Sequence, residues 1–291
     1  MKKNTLSLFL LTLLCSLSPT PIPYDSHFVE ISGYTDKRGI TYNFVYMNRT
    51  GSGNKIKAKY FAARGEDGSS VSKRFDVWEG RQNTIAVASA GYMDRYGVPV
   101  GLTIDKGRIV NSNIESYDGL IIVYATGGIV ATNLDNADLT LQGGGIAQGR
   151  QFNIRGNFRD RQDFIDWAET QEATVFQTHL LVYKNKLEIS QNAEPTPRER
   201  RFLAVGKDVN TGETCHVIVK SPEFTSLYEG TKRVKDFLNE YKDMDITFMI
   251  NLDTGDQDVF FLFNKDGSVN NSIRGPLPIT SAANLLAYYY Q

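Results

Sequence analysis

Asp253, Asp256 and Asp258 crowd the exit of the apolar run Ile246-Thr247-Phe248-Met249-Ile250-Asn251-Leu252. Such a run predicts a buried strand, so carboxylates at its mouth must be solvated, ion-paired, metal-bound or catalytic. The plainest reading is a turn that ends the strand, which Asp and Gly favour locally. Asp253-Thr254-Gly255 is also the local signature of an aspartic protease, whose chemistry needs two carboxylates sharing one proton. A second such triplet is absent, so two chains would have to combine, and Asp256 would add a charge beside the pair. As oxygen donors, Asp253, Asp256 and Asp258 suit calcium, although their spacing departs from the EF-hand loop. His27, His179 and His216 are scattered, so zinc is not expected. A third chemistry is hydrolysis of a sugar-linked ester, which uses carboxylates as general acid and base and a cation for an anionic leaving group. Arg198-Glu199-Arg200-Arg201 can supply guanidinium groups with phosphate-matching geometry. The competing reading of that run is a solvated surface loop. Cys215 and His216 do not form a nucleophilic dyad, because neighbours on a strand point to opposite faces.

The elements that must position these groups follow a short leader. Lys2 and Lys3 precede a nearly continuous apolar stretch from Leu6 to Leu17, too short to span a bilayer, and Pro19, Pro21 and Pro23 break any helix. Residues 1–23 are therefore expected to be an export signal, and residues 24–291 a single domain, placed in the periplasm, on the cell surface or outside the cell. Leu13-Leu14-Cys15 resembles a lipoprotein signal, but Leu14 stands where a small residue is needed, so a lipid anchor at Cys15 is the lesser expectation. No later segment is long and apolar enough to cross a membrane. The 32 Lys and Arg nearly cancel the 33 Asp and Glu, which leaves no basic field for nucleic acid. Without Cys15, Cys215 has no disulfide partner, so stability must come from core burial.

Alternating and short apolar runs predict strands at residues 28–31, 41–46, 56–61 and 84–88, then a ladder from 98 to 141. Further strands are expected at 174–184, 202–206, 216–219 and 246–252. Asp105-Lys106-Gly107, Thr126-Gly127-Gly128, Asn210-Thr211-Gly212 and Lys265-Asp266-Gly267 read as hairpin turns. Gly143-Gly144-Gly145 reads as linker. Helical spacing appears at 70–82, 164–170 and 226–241, with 155–163 expected as an exposed loop. Strands dominate and helices are inserted singly, which is an α+β pattern.

Five of these segments, in order, resemble the phosphodiester glycosidase domain, the family of the mannose 6-phosphate uncovering enzyme and its bacterial relatives. Ala88-Ser89-Ala90-Gly91-Tyr92-Met93-Asp94 is similar to its Asn-Gly-Gly-Phe-Phe-Asp element, and Val98 to Arg108 to its Pro-Val-Gly-Leu strand and Asp-Gly turn. Phe176 to Val182 resembles a strand that begins with Gln and carries Leu-Leu-Val. Ala204-Val205-Gly206 resembles Ala-Ile-Gly, and Asn251-Leu252-Asp253-Thr254-Gly255 resembles Asn-Leu-Asp-Gly-Gly. The resemblance implies a single α+β domain with a large mixed β-sheet and packed helices. It implies hydrolysis of a sugar joined through its anomeric carbon to a phosphodiester, with no cofactor unless calcium binds. Carried over, Asp253 takes acid/base or electrostatic duty, Gln177 is a substrate-facing amide and Arg201 is the displaced anion-binding arginine. Ser89, Gly91, Tyr92, Asp94, His179, Asn251 and Gly255 become substrate-binding positions. The family Asn falls on Ser89, its Arg-Thr pair on Phe202-Leu203 and its last-but-one Gly on Thr254. A one-residue shift on a strand reverses a side chain unless a bulge restores it. These departures imply an altered substrate or lost catalysis, and the alternative is a non-catalytic glycan-binding or envelope protein on the same scaffold.

Overall fold

The computed structural model describes residues 24–62, 64–136, 139–140, 150–255 and 258–291. The expected export signal, Cys15, the Gly143-Gly144-Gly145 linker and Asp256 lie outside the described residues. The chain runs β1 (Val29–Thr35), β2 (Thr41–Asn48), β3 (Ile56–Phe61), α1 (Val71–Glu79), β4 (Asn83–Ala88), β5 (Thr103–Asp105), β6 (Arg108–Asn111), β7 (Gly119–Val123) and β8 (Ile129–Asn133). It continues through β9 (Leu139–Thr140), β10 (Gln151–Phe152), α2 (Phe158–Thr170), β11 (Thr174–Thr178), β12 (Leu180–Tyr183), β13 (Lys186–Leu187) and β14 (Arg198–Asp208). Last come β15 (Thr214–Thr225), α3 (Leu227–Tyr241), β16 (Met244–Leu252), β17 (Phe260–Phe263), β18 (Val269–Asn270) and β19 (Leu285–Tyr290).

Three larger sheets carry the fold, in the orders β1-β2-β15-β14-β16-β12-β13, β6-β5-β11-β7-β8 and β18-β17-β4-β19-β3. The class is α+β in a single domain. The expectation of one large mixed sheet is corrected: every pairing between named strands is antiparallel, and the one parallel contact among the described residues is the isolated bridge Val259–Leu277. Hairpin turns explain this bias, because Lys106 and Gly107 both take left-handed φ (51° and 74°) and join β5 to β6 directly.

Alternation along each strand sorts side chains into an inner and an outer face. Leu203, Val205, Ile218, Ile250 and Leu252 from the first sheet meet Ile121 and Val123 from the second and Ala86, Ala88 and Leu286 from the third in one shared core. The outer faces take the helices. Phe202, Ala204, Val217 and Met249 pack on Leu227, Val234 and Leu238 of α3. Leu120, Ile122 and Val175 pack on Phe164 and Trp167 of α2, while Phe61 and Val87 pack on Val71 and Phe75 of α1. Each helix starts at a side-chain cap that accepts a free backbone N–H, from Ser70 to Lys73, from Asn157 to Arg159 and from Ser226 to Glu229. The Asn157 cap starts α2 at Phe158, six residues before the periodic pattern begins. Segment 158–163 is therefore helix rather than loop.

Cys215 and His216 have separate partners, as strand geometry requires. Cys215 Sγ lies 2.7 Å from the Tyr46 hydroxyl, and the Tyr288 hydroxyl lies 2.9 Å from His216 Nδ1. Burial, helped by the charge of Arg49, pushes the His216 pKa down from 6.5 to about 3. The unfolded chain therefore binds a proton that the native state refuses, and stability rises with pH between about 3 and 6.5. Wild type should lose about 2 kcal/mol relative to His216→Asn between pH 7 and pH 5. Urea denaturation of both proteins at the two pH values reads this, and a difference that ignores pH refutes it.

Candidate functional site

Three chain segments pass from one sheet to another at a common corner. β4 ends at Ala88 and leads into Ser89–Met93, β11 gives way to β12 with only His179 between them, and β16 gives way to β17 through Asp253 to Val259. The start of β14 and the loop before it close the fourth side. A pocket of about 550 Å³ opens there.

Asp253 anchors one wall. Its N–H donates to the Ala90 carbonyl (3.0 Å), and its Oδ1 accepts the Gly255 N–H at 2.9 Å. Thr254, at the position where the family pattern has Gly, donates its hydroxyl to the Glu199 carbonyl (2.8 Å) and ties the turn to β14. Asn251 is 1% exposed and lines the same wall. Its Nδ2 donates to the Tyr92 hydroxyl (2.5 Å), while its Oδ1 has no hydrogen-bond partner among the described residues. A buried acceptor left unpaired costs about 1–3 kcal/mol. Burial, then the charge of Asp253, raises the Tyr92 pKa, so the phenol keeps its proton as a donor.

The opposite wall carries cations. Arg198 and Arg200 both line the pocket, with Glu194 beside them. Arg200 Nη2 donates to the carbonyls of Glu194 (3.3 Å) and Thr196 (3.1 Å), and its Nε to that of Thr225 (3.5 Å). These bonds fix the guanidinium of a residue that lines the pocket. Glu194 takes a left-handed φ of 45°, a region that is costly for a residue with a Cβ.

Tyr92, Asp94, Asn251, Asp253 and Gly255 therefore meet in one pocket. Arg201 and Gln177 do not line it. Arg201 is fully buried on the other face of β14, donating from Nη2 to Asp258 Oδ1 at 2.6 Å and stacked 4.3 Å above the Phe260 ring. The pairing of β14 with β15 shifts between Arg198 and Arg200, and of the neighbours Arg200 and Arg201 it is Arg200 that lines the pocket. Gln177 is a structural clamp: Oε1 accepts from Leu102 N (3.2 Å) and Glu115 N (3.0 Å), and Nε2 donates to the Glu115 (2.8 Å) and Tyr117 (2.5 Å) carbonyls. It holds the segment that carries Tyr117 into the pocket.

Ser89 is buried behind the wall, accepting the Val259 N–H. Gly91 is fixed by Asn284, whose Oδ1 accepts from Ala90 N and Gly91 N at 3.0 Å and whose Nδ2 donates to Gly91 O. A Cβ at Gly91 would sit 3.2 Å from the Tyr60 hydroxyl. His179 packs edge-on to Tyr92 and Tyr117, with ring centroids 5.7 and 4.7 Å away, and burial lowers its pKa. Of the carboxylates weighed for calcium, Asp258 is committed to Arg201, and no group of three or more His, Cys, Asp or Glu among the described residues could hold a metal ion. Glu194, Tyr117 and Asn284 carry no sequence signal for these roles.

No family model matches the chain, and no curated protein matches it. Among solved structures, the catalytic domain of zebrafish N-acetylglucosamine-1-phosphodiester alpha-N-acetylglucosaminidase, auto-inhibited by its pro-peptide, is similar with a TM-score of 0.52. Identity to it is 15%, over 94% of this chain and 85% of that one. A hypothetical protein from Synechocystis is matched with a TM-score of 0.48 and 12% identity, over 91% of this chain and 62% of that one. The likeness to the zebrafish domain is one of architecture: the chain has an α+β fold similar to that of a phosphodiester glycosidase.

Proposed function

We propose that this chain is an exported hydrolase of a glycosyl phosphodiester or a related surface glycan, acting in the pocket at the sheet corner. The observation that carries this reading is the Oδ1 of Asn251, which has no donor among the described residues and is buried in a pocket that Asp253 and Arg200 also line. A buried acceptor without a donor fits a ligand hydroxyl, and a guanidinium fits a phosphate. In the reaction, the oxygen of a water bonds to the anomeric carbon while the bond from that carbon to the phosphate oxygen breaks. The electron pair leaves with the phosphomonoester, whose charge Arg198 and Arg200 offset. Asp253 takes the proton from the water as general base, and Glu194 is assigned as the second carboxylate, holding that water or returning the proton. The Tyr92 phenol donates to a substrate oxygen. The zebrafish neighbour's name, which specifies a sugar 1-phosphodiester, supports the substrate class.

The test is turnover of purified protein on a panel of sugar 1-phosphodiesters beginning with N-acetylglucosamine, scored by release of free sugar. Release that Arg200→Ala abolishes is expected. Binding of the panel without release would favour a glycan-binding protein, and neither binding nor release would end both readings.

A further inference from the structure

A second cleft, of about 140 Å³, opens where the outer edge of β3 parts from the sheet that holds β5, β7 and β11. β3 is the last strand of its sheet, so every second peptide group along it points away from β19. Ala58 N donates outward to the Gly127 carbonyl (2.9 Å), and Ala62 N donates outward to Asp105 Oδ2 (3.0 Å). Tyr60 lies midway between them. Its N–H therefore points into the cleft, where no acceptor among the described residues receives it. Its carbonyl faces the same side. With the edge closed on both flanks, the gap suits one compact group and not an added strand.

The side chains around this peptide carry both signs of charge. Lys59 and Lys106 line the cleft, and neither makes an ion pair among the described residues. Lys59 Nζ lies 5.2 Å from the ring centroids of Phe61 and Trp78, and burial, then the charge of Lys106, lowers its pKa. Two ammonium groups that repel each other favour an anion beside them. Glu172 lines the same cleft. It follows α2 with a left-handed φ of 47°, where glycine is less strained, and at the helix end where a carboxylate opposes the dipole. Local stability does not account for a glutamate there.

We propose that this cleft binds inorganic phosphate as the hydrogenphosphate dianion, at a site separate from the pocket at the sheet corner. The inference does not depend on the hydrolytic reading of that pocket. Lys59, Lys106 and the Tyr60 N–H meet the charged oxygens, and the P–OH donates to Glu172. Sulfate is a dianion without an O–H, and a phosphomonoester loses its last O–H near about pH 6. Either would set a charged oxygen against the Glu172 carboxylate. Of the three, hydrogenphosphate alone brings two charges and a donor together.

Titration calorimetry at about pH 8, where a monoester is dianionic, compares sodium phosphate, sodium sulfate and methyl phosphate. Wild type and Arg200→Ala should both bind phosphate, about tenfold more tightly than the other two anions. Lys59→Met keeps an apolar stem against Phe61 and Trp78 and should weaken phosphate about tenfold in either background. Lys106→Ala, on the exposed turn between β5 and β6, should do the same, with thermal melts confirming that the variants fold. Glu172→Gln supplies an amide donor and should bring sulfate to within about threefold of phosphate. Phosphate binding that Arg200→Ala abolishes belongs to the corner pocket and overturns the inference. So does binding that both lysine variants leave unchanged, sulfate held as tightly as phosphate by wild type, or no binding at all.

Discussion

Asp253→Asn should lower kcat on a glycosyl phosphodiester by about 100-fold or more, with KM nearly unchanged, because general acid–base groups contribute about 10²–10⁴-fold. The substitution keeps an oxygen that can accept the Gly255 N–H and leaves the backbone bond to Ala90 in place, so the turn survives. What it removes is the capacity to take a proton. Single-turnover release of free sugar measures the effect, and a variant within threefold of wild type would strip Asp253 of that role. Glu194→Gln provides the contrast, since losing a carboxylate that holds the water or returns the proton should also lower kcat while the Asp253 turn stays intact.

Arg201→Met should destabilise the protein by about 3–5 kcal/mol, because it leaves the Asp258 carboxylate buried without a partner. The pair is fully enclosed: both residues are buried, Nη2 meets Oδ1 at 2.6 Å, and Phe260 covers the guanidinium. Adding Asp258→Asn to Arg201→Met should recover more than half of the loss, since the orphaned charge dominates it. Chemical denaturation of the three proteins reads both effects. A loss under about 1 kcal/mol for the single variant would mean that water reaches the pair. At the site, the signature of a structural arginine is a lower melting temperature with little change in KM, whereas Arg200→Ala should act on KM and kcat directly.

The two arginines also show where the sequence stops being informative. Arg198-Glu199-Arg200-Arg201 marks a cationic segment, and alternation says that Arg200 and Arg201 point to opposite faces. Which face meets the pocket depends on a register shift against β15, between Arg198 paired with Thr225 and Arg200 paired with Ser221, and nothing local encodes it. Strands and hairpin turns were legible because apolar alternation and paired Gly or Asp residues are local signals. The six charged or polar-flanked residues that open α2 were not, because exposed helix turns carry no apolar period and the deciding group is one cap, Asn157. Gln177 was expected, from the resemblance alone, to be a substrate-facing amide, but its four bonds go to backbone of distant loops. Sequence alone cannot separate an amide that clamps a loop from one that meets a ligand. Asn251 and Asp253 were legible because polar residues ending a buried strand must have somewhere to go.

The position of β19 between β4 and β3 governs when the pocket can exist during synthesis. β3 and β4 leave the ribosome some two hundred residues before the strand that joins them, so each waits with an unpaired edge. The peptide groups of Ala90 and Gly91 wait as well, because their acceptor is Asn284. Closure over so long a separation is slow, and a nascent chain halted before residue 284 would carry Asp253 just past a finished strand, without the Asn284 bonds that fix Ala90 and Gly91 beside it. Vectorial emergence of the chain thus makes assembly of the pocket one of the last folding events.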